Sequence, residues 1–187
     1  MTQSDTQVNI LQSAITVFTK YGVRRASMAD VAQHAGVSRQ TLYGHFKNKD
    51  EIAAAALSHA LVRILDDIRR SWADAADLGE VLDVYFQHAV IAPYDAMMQM
   101  PDFKDLLQGV GPQMSEAAQS ADASKMELLE ARLLPLADVF AKTGNTPKSV
   151  TKLIVRTSSE LKFSQIERDE LVQLLATLKT AILALAR

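Results

Sequence analysis

The chain has 187 residues, 48% of them hydrophobic and 22% charged, with 7 Gly, 5 Pro and no Cys. These proportions exclude a disordered, collagen-like or disulfide-stapled protein and leave no thiolate for catalysis or zinc. The net charge of −2 is uneven: residues 1–50 hold Lys20, Arg24, Arg25, Arg39, Lys47 and Lys49 against Asp5, Asp30 and Asp50, so a basic head precedes an acidic body. A polyanion partner is therefore expected for the head alone. The start of the sequence lacks the pattern of a secretory leader, and no run approaches the ~18 apolar residues a bilayer demands. The expectation is a cytoplasmic protein that makes no use of a membrane.

Apolar residues recur at helical spacing from the start. Ile10, Ala14, Phe18 and Tyr21 form a stripe that predicts a first helix of about five turns, ended by Gly22. Two short helices follow, one opened by Ser27 with Asp30 three residues on, the other by Ser38, with the break at Ala35-Gly36-Val37. Asn48 with Glu51 opens a longer helix through Ile52, Leu57, Leu61, Ile64, Leu65 and Ile68 towards Trp72. Asp77 with Glu80 starts the next, which Pro93 is expected to limit. A Met-rich stretch and an apolar segment through Phe103 lead to a break at Gly109–Pro112.

The Ala/Ser run at 115–124 reads as either helix or loop. A helix through Met126, Leu129, Leu133 and Phe140 follows, kinked at Pro135. Thr146-Pro147 caps a further helix, and Ser164 with Glu167 is expected to cap the last. No segment alternates at period two, so the fold class is all-α. The division predicted is a head over residues 1–50 and a helical body over 51–187.

Ser27 to Phe46 reads SMADVAQHAGVSRQTLYGHF, two short helices around a glycine turn. A helix-turn-helix uses this arrangement to lay one helix across the DNA backbone and place the second in the major groove. Val31, Val37 and Leu42 supply the inner faces, and Ser38, Gln40, Thr41 and Tyr43 stay polar on a helix of barely two turns. Phe18, Gly22, Val31-Ala32, AGVS at 35–38, TLY at 41–43, His45-Phe46 and Lys49 together resemble the DNA-binding domain of TetR family transcriptional regulators.

The resemblance implies roles for particular residues. Ser27 would cap the second helix and contact phosphate, with Arg25 as a possible substitute because Ala26 stands where the family commonly has Thr. Ser38 caps the third helix. Arg39, Gln40 and Thr41 stand where base edges are read, and either Gln40 or Arg39 would be the principal reader. Tyr43, His45 and Lys49 match backbone-contacting positions, with packing as the alternative for His45. The partner implied is double-stranded operator DNA bound by a homodimer.

The apolar stripe of the last two helices offers the dimer surface: Ile154, Leu161, Leu171, Leu175, Leu178, Ile182 and Leu185. The chain's own core is the competing use of each. The resemblance also implies a small-molecule effector in the body. Tyr85, Phe86, His88, Tyr94, Met97, Met98, Met100, Phe103 and Phe140 are the candidate lining, and core packing competes for each. The scarcity of clustered bases here favours a neutral or cationic lipophilic effector over a phosphorylated one. No metal-ligand, nucleophile–base or phosphate-loop pattern is present, which argues against an enzyme and implies no cofactor. The expected function is a repressor released by its effector. Control by a protein partner is the alternative, and nucleoid coating fits poorly with a modest recognition helix.

Overall fold

The computed structural model describes residues 3–101, 112–164 and 166–187. Phe103 lies outside the described residues. Among those described, every regular element is helical: α1 (Gln3–Tyr21), α2 (Met28–Ala35), α3 (Arg39–His45), α4 (Lys49–Ser71), α5 (Leu78–Phe86), α6 (Ala92–Met98), α7 (Pro112–Leu133), α8 (Ala137–Ala141), α9 (Pro147–Phe163) and α10 (Arg168–Leu185). A π turn (Gln87–Ile91) joins α5 to α6, and a 3-10 turn (Leu134–Leu136) joins α7 to α8. No described helix is long and apolar enough to cross a membrane.

The chain forms two compact units: residues 1–62 with 96–119, and 63–95 with 120–187. Helices α4 and α7 each contribute to both. In the first unit, Ile10, Ala14, Val17 and Phe18 of α1 pack with Val31 and Ala32 of α2, Leu42 of α3, Phe46, and Ile52, Ala53 and Ala56 of α4. In the second, Ile68 and Trp72 at the end of α4 pack with Leu82, Tyr85, Phe86, Tyr94, Leu129, Leu133, Phe140, Ile154, Leu171, Leu175 and Ile182. The Trp72 indole donates to the Val81 carbonyl at 2.9 Å, which satisfies the one polar atom that side chain brings inside.

Most helix ends sit where local chemistry puts them. Gly22 and Gly36 adopt φ of 81° and 66°, a left-handed conformation that side chains with a Cβ avoid, and these turns free α2 and α3 to change direction. Thr146 accepts from the Ser149 amide while Ser149 accepts from the Thr146 amide, closing the start of α9. The Ala/Ser run at 115–124 is helical, within α7.

Two expected boundaries differ. Pro93 does not limit α5. The Ala92 amide reaches back to the Gln87 carbonyl through the π turn, so Pro93 falls in the first turn of α6, where a missing N–H costs nothing. Ser164 does not cap α10. Its hydroxyl donates to the Leu161 carbonyl at 2.7 Å and closes α9, leaving Glu167 as the N-cap with no side-chain bond to the helix.

Candidate nucleic-acid interface

Helix α3 has 7 residues, well under the ~12–15 at which an isolated helix becomes marginal in water, so packing must hold it. Leu42 is fully buried beneath it and Phe46 follows at its end. Its start is fixed by Ser38, whose hydroxyl accepts from the Thr41 amide at 3.0 Å and lies 2.8 Å from the Thr41 hydroxyl. Helix α2 is held just as locally. Ser27 Oγ accepts from the Asp30 amide at 3.2 Å, and the Asp30 carboxylate accepts from the Ser27 amide at 2.8 Å and hydroxyl at 2.6 Å. Those bonds hold the Asp30 carboxyl below its usual range. Asn9 of α1 donates to the Ala35 carbonyl at 2.8 Å, tying the end of α2 to the first helix.

With Leu42 as the anchor, the opposite side of α3 is left to solvent. Arg39, Gln40, Thr41 and Tyr43 are exposed, the last by 52%, and His45 is half-buried with its ring tilted against Phe46. An exposed Tyr, Gln and Arg grouped on a rigid helix form a donor-rich surface suited to base edges and phosphates. Ser27 is exposed, but its hydroxyl already donates to Asp30, so a phosphate contact requires that bond to turn outward. Arg25 is exposed and lines a shallow cleft of about 230 Å³ with Lys20, Tyr21, Asp30 and Pro101.

Lys49 is half-buried, and its ammonium donates to the carbonyls of Arg24 at 2.8 Å and Ala26 at 3.1 Å. It clamps the start of α4 to the loop before α2, and one N–H remains for a phosphate. This clamping role was not foreseen in the sequence, because it depends on a fold contact 25 residues away in the chain.

In the second unit, Tyr85, Phe86, Tyr94 and Phe140 are buried in the core. Tyr94 donates its hydroxyl to the Ile166 carbonyl at 2.6 Å, and His88 Nε2 lies 3.2 Å from the Ser71 hydroxyl. The methionines stand apart from this group. Met97, Met98 and Met100 belong to the first unit, with Met98 46% exposed and Met100 packed against the first unit's core. The described candidates for effector lining are therefore split between the two units.

The expected dimer residues are also redistributed. Ile154, Leu171, Leu175 and Ile182 are buried in the chain's own core, so they are spent on its own packing. Leu161, Leu178 and Leu185 are partly buried against the same core. The apolar residues these helices leave exposed are Leu153 and Phe163 on α9 and Val172 and Leu174 on α10.

The inward face of α9 carries a feature the sequence reading passed over. Thr151, Ser158 and Lys162 are all buried, at i, i+7 and i+11 along one face. Lys125 of α7 is buried beside them. Helical spacing contains the signal, but polar residues at that spacing read equally well as a solvated face.

A chain whose described elements are all helical and whose N-terminal unit presents a short, capped helix over a buried leucine defines a helix-turn-helix protein. Residues 10–56 match the family described as bacterial regulatory proteins, tetR family. Over 53 residues the chain is 43% identical to the HTH-type transcriptional regulator TtgR of Pseudomonas putida, a match covering 28% of this chain and 25% of TtgR. Among solved structures, FadR of Bacillus subtilis in complex with stearoyl-CoA superposes with a TM-score of 0.67 at 16% identity, covering 92% of this chain and 95% of FadR. A TetR/AcrR family regulator from Thermobifida fusca superposes with a TM-score of 0.65 at 18% identity, covering 94% and 96%. Residues 10–56 thus carry the DNA-binding unit of the TetR family of transcriptional regulators. The match to TtgR spans about a quarter of that relative's length, while the structural likeness covers nearly the whole chain and shows the fold alone. These relatives are regulators, not enzymes.

Proposed function

We propose that this protein is a repressor that binds a palindromic operator as a homodimer and releases it when a small lipophilic effector occupies the second unit. The observation that carries the reading is α3: Arg39, Gln40, Thr41 and Tyr43 stand exposed on a helix fixed by Ser38 and Leu42. Seven residues read too few base pairs for a unique site, so two copies on a two-fold symmetric duplex are the economical arrangement. The exposed Leu153, Val172 and Leu174 supply apolar area for the pairing of subunits. The description of FadR as a complex with stearoyl-CoA supports a small molecule, in place of a protein, as the controlling partner. Release requires an effector that binds the DNA-incompetent arrangement more tightly, since equal affinity shifts nothing.

The test is selection of random duplexes by the purified chain. Enrichment of a palindrome with two equivalent half-sites is the expected result. Failure to enrich any sequence, with the chain folded and ligand-free by mass spectrometry, removes the operator-binding reading.

A further inference from the structure

Asp122 and Lys125 of α7, Ser158, Ser159 and Lys162 of α9 and Tyr85 of α5 meet within the second unit. Lys125 donates to the Asp122 carboxylate at 3.0 Å, and the Ser159 hydroxyl donates to the same oxygen at 3.0 Å. Lys162 lies beside Lys125 and feels both its charge and that of Asp122, but only Lys125 pairs with the carboxylate. Lys162 makes no ion pair with any described residue. Its Nζ lies 4.8 Å from the centre of the Phe163 ring, which offers only a weak attraction. Lys125 is 5% exposed and Lys162 8%. Two cations and one anion leave one positive charge uncompensated, and a buried unpaired charge is costly. Burial and the neighbouring Lys125 accordingly press the Lys162 amine down to about 7, with Asp122 opposing them.

The hydroxyls beside this pair are also incomplete. Tyr85 is 1% exposed and its hydroxyl has no hydrogen-bond partner, although Ser158 lies next to it; the Ser158 hydroxyl donates instead to the Val155 carbonyl at 3.3 Å. Thr151, further along the same face of α9, is equally buried with an unpartnered hydroxyl. Eleven positions of helix separate Thr151 from Lys162, about 16 Å of track. Buried polar groups in native proteins are as a rule satisfied, so the Tyr85 and Thr151 hydroxyls and the Lys162 amine stand out as groups short of a partner. The Asp122 side chain is 19% exposed, which opens the cation end of the track to solvent.

We infer that Lys125 and Lys162 receive the carboxylate of an elongated amphiphilic effector, with Tyr85 donating to the same head group and the apolar body lying along the inward face of α9 towards Thr151. This rests on the effector reading above and names the chemical class. It also replaces the neutral or cationic effector expected from the sequence, because the two lysines stand 37 residues apart and cluster only when folded. An anion at this position restores the proton of Lys162, so its binding above neutral pH takes up a proton from solution.

The probes are decanoate, decanol and decylamine, which share a chain and differ in head charge. Titration calorimetry at roughly pH 8 in two buffers of different ionisation enthalpy reads both affinity and proton uptake. Decanoate is expected to bind at least about tenfold more tightly than the other two and with net proton uptake. Lys162→Met and Lys125→Met should each remove that preference, Tyr85→Phe should weaken it, and Lys162→Arg should retain it. Lys162→Met removes a buried amine that has no counter-ion and is expected to fold; Lys125→Met breaks the pair with Asp122, so its fold is checked by circular dichroism before titration. Equal binding of the three probes, no binding of decanoate, or an undiminished preference in Lys162→Met overturns the inference. A selected operator duplex keeps the two readings apart. Release by decanol or decylamine without decanoate binding sinks the anion site and leaves the repressor. Decanoate binding by a chain that holds no duplex sinks the repressor and leaves the anion site.

Discussion

The Lys49 ammonium donates to the Arg24 carbonyl oxygen at 2.8 Å and bridges 25 positions of the chain. With its second bond to Ala26, it fixes the loop from which α2 starts. Lys49→Met keeps the aliphatic stem and removes both bonds, and should cost about 1–2 kcal/mol in denaturant titration. If the remaining N–H also meets a phosphate, the slope of log affinity against log salt falls by about one unit. An unchanged slope with lowered stability confines Lys49 to the clamp, and unchanged stability removes the clamp.

Gln40 is exposed, so Gln40→Ala should leave the unfolding transition in place. Loss of a bidentate contact to adenine should relax discrimination at one position of each half-site by about 1–3 kcal/mol. Duplex selection with the variant measures this. A consensus identical to that of the parent, bound more weakly throughout, assigns Gln40 to positioning and shifts base reading to Arg39.

Exposed and buried leucines of the last two helices should behave differently. Replacing Leu153, Val172 and Leu174 together by Glu places charge where a partner would pack and should give folded monomers in sedimentation velocity. Ile182→Asp places charge in the chain's own core and should unfold it. A folded dimer of the triple variant moves the interface away from these residues.

Lys162 gives stability a pH dependence whose sign is fixed. Its amine sits at about 7 in the folded chain against 10.5 when unfolded, so between these values the unfolded chain holds the extra proton and stability rises with pH. The slope contributed is about 1.4 kcal/mol per pH unit. Burial raises the Tyr85 hydroxyl, which keeps its proton in the folded chain after the unfolded chain has lost it, so stability falls again above about pH 10. Urea midpoints at roughly pH 7.5 and roughly pH 9 should differ for the parent and converge for Lys162→Met. Parallel behaviour of the two proteins contradicts the buried, unpaired lysine.

What the sequence made legible was local. Gly22, Gly36, Ser27 with Asp30, and Thr146-Pro147 each determine a boundary through their own backbone or through a bond three residues away, and each stands where the sequence places it. Pro93 and Ser164 were misread because their effect depends on a π turn and on a carbonyl already in need of a donor. The stripe of Leu171, Leu175 and Ile182 is visible as apolar, but apolarity does not say whether the chain or a second subunit covers it. Lys125 and Lys162 were silent because charge clustering in a sequence is a one-dimensional quantity. Here α7 and α9 bring the two lysines together across 37 positions.

The most direct test of the central claim is the mass of the complex formed with an enriched duplex, read by sedimentation at physiological salt. Two copies of the chain per palindromic duplex, and a lone half-site bound far more weakly, are the predicted result. A single copy held as tightly on a half-site as on the palindrome would contradict the paired-reader account.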